Sequence, residues 1–227
     1  FARCYHTENS EVKIYNDPLA REILAPAEYS AVAENMAKGI AFFNPSYKEN
    51  NPLEWIVNNR LAPSVLARSA FCQRHLINEI NLALKQYVIL ASGYDTSAYG
   101  INVKAFELDM PDMISDKINR IKKAEINCEN ITYIGCDLST DWVNPLLSAG
   151  YDVNEKSFFS LLGISYYLTK NDFENTIAAI AENSPKGSCI VFDYPNTAQT
   201  AADNTNRQLA RAADEEMKST YSYEDIE

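Results

Sequence analysis

The apolar positions change rhythm twice along the chain. Up to about residue 84 they recur at helical spacing, and no run reads as a strand. Asp17 followed by Pro18 supplies an N-cap and a first-turn proline, which predicts a helix over 18–25. Ala31, Met36 and Ile40 among polar neighbours predict a second helix over 27–41. A loop carrying Pro45 and Pro52 leads to a short helix near 53–59. Pro63 is then expected to open a long helix over 63–84, with Leu66, Ala70, Leu76, Ile77, Ile80 and Leu84 on one face.

From residue 86 the texture alternates. Short apolar runs at 86–91 (QYVILA), 103–108 (VKAFEL), 131–136 (ITYIGC), 157–162 (SFFSLL) and 188–194 (SCIVFDY) predict strands, most of them buried on both faces. Helices are expected between them over 111–125, over 139–149 behind Ser139 or Thr140, and over 170–183 from Lys170 or Asn171. A last helix, rich in Ala, Asn, Arg and Glu, is expected over 198–218. The alternation predicts an α/β fold, an open parallel sheet with helices on both faces.

Composition narrows the partners. The 227 residues fit one large domain. Acids outnumber bases 31 to 20, a net charge of −11, so the chain repels phosphate backbones and anionic lipid. No nucleic-acid or membrane partner is expected, and no apolar run approaches the ~18 residues of a membrane span. The five cysteines, Cys4, Cys72, Cys128, Cys136 and Cys189, are scattered and form no C-x-x-C pair. They predict reduced buried thiols in a cytoplasmic protein, with neither disulfides nor a metal site. The opening residues Phe1, Ala2, Arg3 and Cys4 form neither a signal peptide nor an initiator sequence, and read as a trimmed front.

In an open parallel sheet a ligand binds outside the carboxyl ends of the strands. Gly93 follows the first strand, where a tight turn under a ligand favours a residue without Cβ. Glu107 closes the second strand, where a carboxylate can accept from a ribose diol. Asp137 follows the third, where it can meet an adenine amino group or cap the next helix. Asp193 and Tyr194 follow the fifth. Only residues 92–102 separate the first two strands, near the ~10–12-residue lower limit for a crossover. That is too short for a full helix whose N-terminus would hold a pyrophosphate, and the G-x-G-x-x-G pattern is absent. A nucleoside without phosphates, such as S-adenosyl-L-methionine, fits better than a nicotinamide dinucleotide.

These segments resemble the leucine carboxyl methyltransferase family. The matching stretches are 66–70 (LARSA), 88–99 (VILASGYDTSAY), 106–111 (FELDMP), 116–121 (DKINRI), 136–138 (CDL), 163–168 (GISYYL) and 187–194 (GSCIVFDY), with 5–18 (including YHTEN and YNDP) similar to a lid segment. The resemblance implies a Rossmann-like class I methyltransferase with a helical lid over 1–84 and an S-adenosyl-L-methionine-binding core over 85–227, integrated into one domain. It implies that Arg68 pairs with the cofactor carboxylate, that Gly93 and Asp95 line its methionine part, and that Glu107 holds the ribose. Asp137 and Leu138 would frame the adenine, with Gly163 beside the cofactor and Arg3 reaching in from the lid. The acceptor would be an oxygen, carboxylate or hydroxyl, on a small molecule or a protein carboxyl terminus. Tyr166 and Tyr167 are candidates to line its pocket. A carboxylate acceptor needs no base and a hydroxyl does; neither His6 nor His75 is assigned that role.

There are also departures. Ala91, Gly100 and Leu162 stand where the family has glycine, arginine and glutamate, and the chain ends before the family's closing antiparallel hairpin. A degenerate relative that only binds ligands is therefore the alternative to an active methyltransferase, ahead of a nicotinamide-dependent oxidoreductase.

Overall fold

The computed structural model describes residues 1–197, 207–208, 210–211 and 215–226. Its centre is one parallel sheet of five strands: β1 (Gln86–Leu90), β2 (Lys104–Asp109), β3 (Ile131–Gly135), β4 (Ser157–Leu161) and β5 (Cys189–Phe192). The order is β3-β2-β1-β4-β5, so the chain reverses direction across the sheet between β1 and β4. In register, Gln86 faces Lys104 on one side and Ser157 on the other.

The period of two along each strand divides the apolar side chains between two faces. Val88, Leu90, Phe106, Leu108, Phe159 and Leu161 form one core with Leu146 of α8 (Val143–Ser148) and Phe173 and Ile180 of α9 (Lys170–Glu182). Tyr87, Ile89, Ala105, Phe158 and Val191 form the other with Cys72 and Leu76 of α6 (Ala67–Asn81). The expected arrangement of helices on both faces is present. The buried Gln86 is matched: its amide donates to Asp152 O at 2.8 Å and accepts from Asp152 N at 2.8 Å.

The N-terminal region is helical: α1 (Ala2–Asn9), α2 (Leu19–Ile23), α3 (Pro26–Lys38), α4 (Ile40–Phe43) and α5 (Pro52–Ile56). The Asp17 carboxylate accepts from Ala20 N at 3.1 Å, as an N-cap should. The expectation at Pro63 needs correction. Helix runs without a break from Pro52 to Asn81, because Val57–Leu66 is π-helical and joins α5 to α6 with Pro63 inside it. The wider turn shifts the bonding to i→i+5 and accommodates a residue without an N–H, which an α-helix would reject.

One helix start also differs from expectation. α8 begins at Val143, after a turn in which Asp137 accepts from Ser139 N at 2.8 Å. α9 starts at Lys170 as expected, capped by Thr169 through a reciprocal pair with Asp172. α7 spans Pro111–Lys123 as expected. Of the expected helix over 198–218, residues 207–208 and 210–211 are helical, 215–218 are not, and the remainder lies outside the described residues. Among the described residues, pairing beyond β5 is limited to a bridge between Asn196 and Tyr221.

Candidate functional site

Two left-handed residues turn the chain sharply at the carboxyl end of β1: Ala91 at φ 55° and Gly93 at φ 45°. The loop is pinned from β2. Ser92 N donates to Leu108 O at 3.0 Å, and Gly93 N donates to the Asp109 carboxylate at 2.7 Å. Asp95 N returns to Ser92 O at 2.8 Å. The loop forms the floor of a 290 Å³ cavity whose walls include Arg3 from α1, Arg68 from α6 and Leu162 after β4.

Charge is concentrated here. The Arg3 guanidinium donates to Asp95 at 2.6 Å, lies 3.6 Å from Asp17, and covers the Tyr15 ring at 5.3 Å. Burial pushes the Asp95 carboxyl up, but Arg3 and the Ser97 donors outweigh it and hold the group at about 2. Arg68 donates to Asp193 at 3.0 Å, and the other Asp193 oxygen accepts from Gly163 N at 2.6 Å. Arg68 lies so close over Gly163 that an ideal Cβ there would fall 2.5 Å from its Nη2. Gly163 therefore leaves room for the arginine rather than for a ligand.

Of the residues singled out in the sequence, Arg3, Arg68, Gly93 and Asp95 line this cavity, and Gly163 supports it. Glu107 does not. It is wholly buried and paired at 2.6 Å with Lys117, which is also wholly buried. Burial pushes the Glu107 carboxyl up and Lys117 pulls it back, leaving it at about 7. The acid at the mouth of the strand is Asp109, two residues on and half-buried. Both point to the same side of β2, and only the position along the strand separates a buried carboxylate from an accessible one.

Asp137 and Leu138 are also apart from the cavity. Asp137 is exposed and engaged with Ser139, whose hydroxyl donates at 2.7 Å. Leu138 lines a separate 220 Å³ cavity beside Trp142. His6 is buried, with Ile14 N donating to its Nε2 at 2.9 Å and Ser10 Oγ 2.8 Å from its Nδ1. Both nitrogens thus brace the segment after α1. His75 packs on Phe71 at 4.4 Å. A second cavity of 520 Å³ adjoins the first; Val65 and Arg68 line both, and Tyr166 and Tyr167 line the second. Among the described residues, no group of three or more His, Cys, Asp or Glu is placed to hold a metal ion.

The first cavity fits an amino-acid-bearing nucleoside. Two buried polar atoms on its wall, Ser92 Oγ and Arg3 Nη1, have no hydrogen-bond partner. The guanidinium groups of Arg3, Arg68 and Arg120 and the Asp95 carboxylate line it, with Asp109 held behind them on the Gly93 amide, a set complementary to a zwitterion and a diol.

Comparison with known proteins places the chain in a family. The family model for leucine carboxyl methyltransferase matches residues 1–181. A Bacillus subtilis (strain 168) protein, "Putative S-adenosyl-L-methionine-dependent methyltransferase YktD", is 35% identical over 100% of this chain and 81% of its own length. A Mycobacteroides abscessus protein of the same description is 29% identical over 87% of this chain, which spans only 66% of that relative. The crystal structure of a DUF574-family protein from Streptomyces avermitilis shares the fold, with TM-score 0.61 at 13% identity over 99% of this chain and 79% of that one. With a matching model over most of its length, a relative aligned from end to end, and a cavity at the switch point of its sheet, the chain belongs to the leucine carboxyl methyltransferase family.

Proposed function

We propose that this chain is an S-adenosyl-L-methionine-dependent O-methyltransferase, with the cofactor in the first cavity and the methyl acceptor in the second. The observation that carries the reading is the pair of cavities at the carboxyl ends of the strands, joined along Val65 and Arg68. Bound there, S-adenosyl-L-methionine supplies an electrophilic methyl on a sulfonium.

The side chains divide the work of holding it. Arg68 takes the methionyl carboxylate, exchanging Asp193 for the ligand, and Arg3 adds a second cation from the lid. Asp95 faces the ammonium. Asp109 replaces Glu107 as the acceptor for ribose hydroxyls, since it stands at the strand mouth and already holds the Gly93 amide. The 1–84 region acts as the lid, because α1 brings Phe1, Ala2 and Arg3 onto the cavity and excludes water. Positioning is the main contribution: alignment of two reactants accounts for as much as ~7–11 kcal/mol of a barrier.

The test is calorimetric titration of the chain with S-adenosylhomocysteine, the demethylated product. Saturable binding is expected, weakened at least tenfold, or about 1.4 kcal/mol, in Arg68→Ala and in Asp109→Asn, and changed far less in Asp137→Asn. No binding by the folded chain, or equal binding by Arg68→Ala, would overturn the assignment.

A further inference from the structure

The second cavity has a charge balance opposite to that of the whole chain. The chain has 31 acids against 20 bases. Among the described residues the cavity wall has three arginines, Arg60, Arg68 and Arg207, against two acids, Asp193 and Glu215. Both acids are engaged. Asp193 holds Arg68 at 3.0 Å and the Gly163 amide at 2.6 Å. Glu215 accepts the Tyr167 hydroxyl, a contact that adds to burial in raising that phenol's pKa.

Two of the arginines, Arg60 and Arg207, have no ion pair among the described residues. Arg60 donates to Phe43 O at 2.7 Å and covers the Trp55 ring at 5.6 Å, contacts that fix the guanidinium without cancelling its charge. In a chain of net charge −11, a concave site whose described wall carries more arginines than acids concentrates anions locally.

The rest of the wall calls for a flat apolar body. Tyr166 and Tyr167 meet edge to face with centroids 4.6 Å apart, and Tyr194 also lines the cavity. Aromatic rings prefer such offset or edge contacts. The 520 Å³ volume falls within the ~300–1,000 Å³ of small-molecule sites. Position matters too. Arg60 and Arg207 line the second cavity and not the first, so an anion held by them lies away from the shared wall.

We propose that the second cavity binds an aromatic carboxylate, its ring among Tyr166, Tyr167 and Tyr194 and its carboxylate on Arg207 in the field of Arg60. A guanidinium fork matches a carboxylate bidentately. Calling this ligand the methyl acceptor rests on the function proposed above, and the accepting oxygen is then a second group facing Arg68. The binding site itself does not rest on that reading.

The experiment titrates the full chain, with and without saturating S-adenosylhomocysteine, with 2-naphthoate and with its neutral isostere 2-naphthamide. The acid is expected to bind at least tenfold tighter than the amide. That preference should vanish in Arg207→Gln, shrink in Arg60→Gln and persist in part in Arg207→Lys, while affinity for S-adenosylhomocysteine is unchanged in all three. Equal affinity for acid and amide, or binding of neither, overturns the proposal on the unaltered protein alone. Retained preference in Arg207→Gln overturns the anchor. If 2-naphthoate binds through Arg207 but S-adenosylhomocysteine does not bind, the carboxylate site stands and the methyltransferase reading fails.

Discussion

Gly163 is where a single hydrogen atom decides the geometry of the site. It adopts φ 76°, and its missing Cβ is the space that Arg68 fills. Gly163→Ala adds left-handed strain of roughly 1–2 kcal/mol and pushes the guanidinium aside. The expected outcome is a stable protein with a lowered melting temperature and about tenfold weaker S-adenosylhomocysteine binding; unchanged affinity would mean that Arg68 does not hold the ligand. Glu107 and Lys117 present a different case, two wholly buried charges that depend on each other. Removing one partner of such a pair leaves an uncompensated charge, at a cost of about 3–5 kcal/mol. Lys117→Met is expected to lose that much at pH 8, and Glu107→Leu combined with Lys117→Met much less, as read from denaturant midpoints. Glu107 already has a raised pKa, so its charged form is the disfavoured one in the folded state. The single-variant loss should therefore shrink as the pH falls and the carboxyl takes up a proton. A loss that is the same at all pH, or a double variant as unstable as the single, would contradict this account.

At the scale of elements, α1 and the segment after it are held by a neutral imidazole. Ile14 N donates to His6 Nε2, so the proton sits on Nδ1 and points to Ser10. Burial first, then the Lys13 charge, lowers the His6 pKa below its usual ~6.5. The folded state thus binds fewer protons than the unfolded one. This stabilisation is complete above ~6.5 and is lost as the pH falls below it. Hydrogen exchange at the Ile14 amide, corrected for intrinsic rates, should show protection falling below that pH; protection that does not respond to pH would show that the ring is not the clasp. The strands and most helices were legible in the sequence because runs such as VILA and SFFSLL have lengths and flanks that only buried strands satisfy. Pro63 was not. Local rules treat proline as a helix opener, and only packing of the whole Pro52–Asn81 rod shows that a π-helical stretch absorbs it. The start of α8 was missed for a similar reason, since Asp137 and Ser139 satisfy each other in a turn and postpone the helix to Val143.

Across the whole molecule, the cavity residues nearest in sequence to a strand end were the easiest to name. Gly93 and Asp95 follow β1 directly, while Arg3 and Arg68 are placed by motif resemblance and confirmed as neighbours only by folding. That Glu107 lies off the cavity wall was not legible, because a strand of two-residue period has two acids on one side and burial depth is not written in the local sequence. Arg60 and Arg207, 147 positions apart, carry no shared signal at all; they come to line one cavity only in the folded chain.

That sheet also sets a timetable for biosynthesis. β1 is its central strand, yet its partner on one side, β4, begins 71 residues later, with Ser157 opposite Gln86. At ~5–20 residues per second of translation, β4 follows β1 out of the ribosome by about 4–14 s. Throughout that interval Val88 and Leu90, which end up with no exposed surface, sit on a strand with one bare edge, the kind of template that recruits other chains. The order β3-β2-β1-β4-β5 therefore makes the nascent chain most vulnerable to aggregation just before its fourth strand emerges.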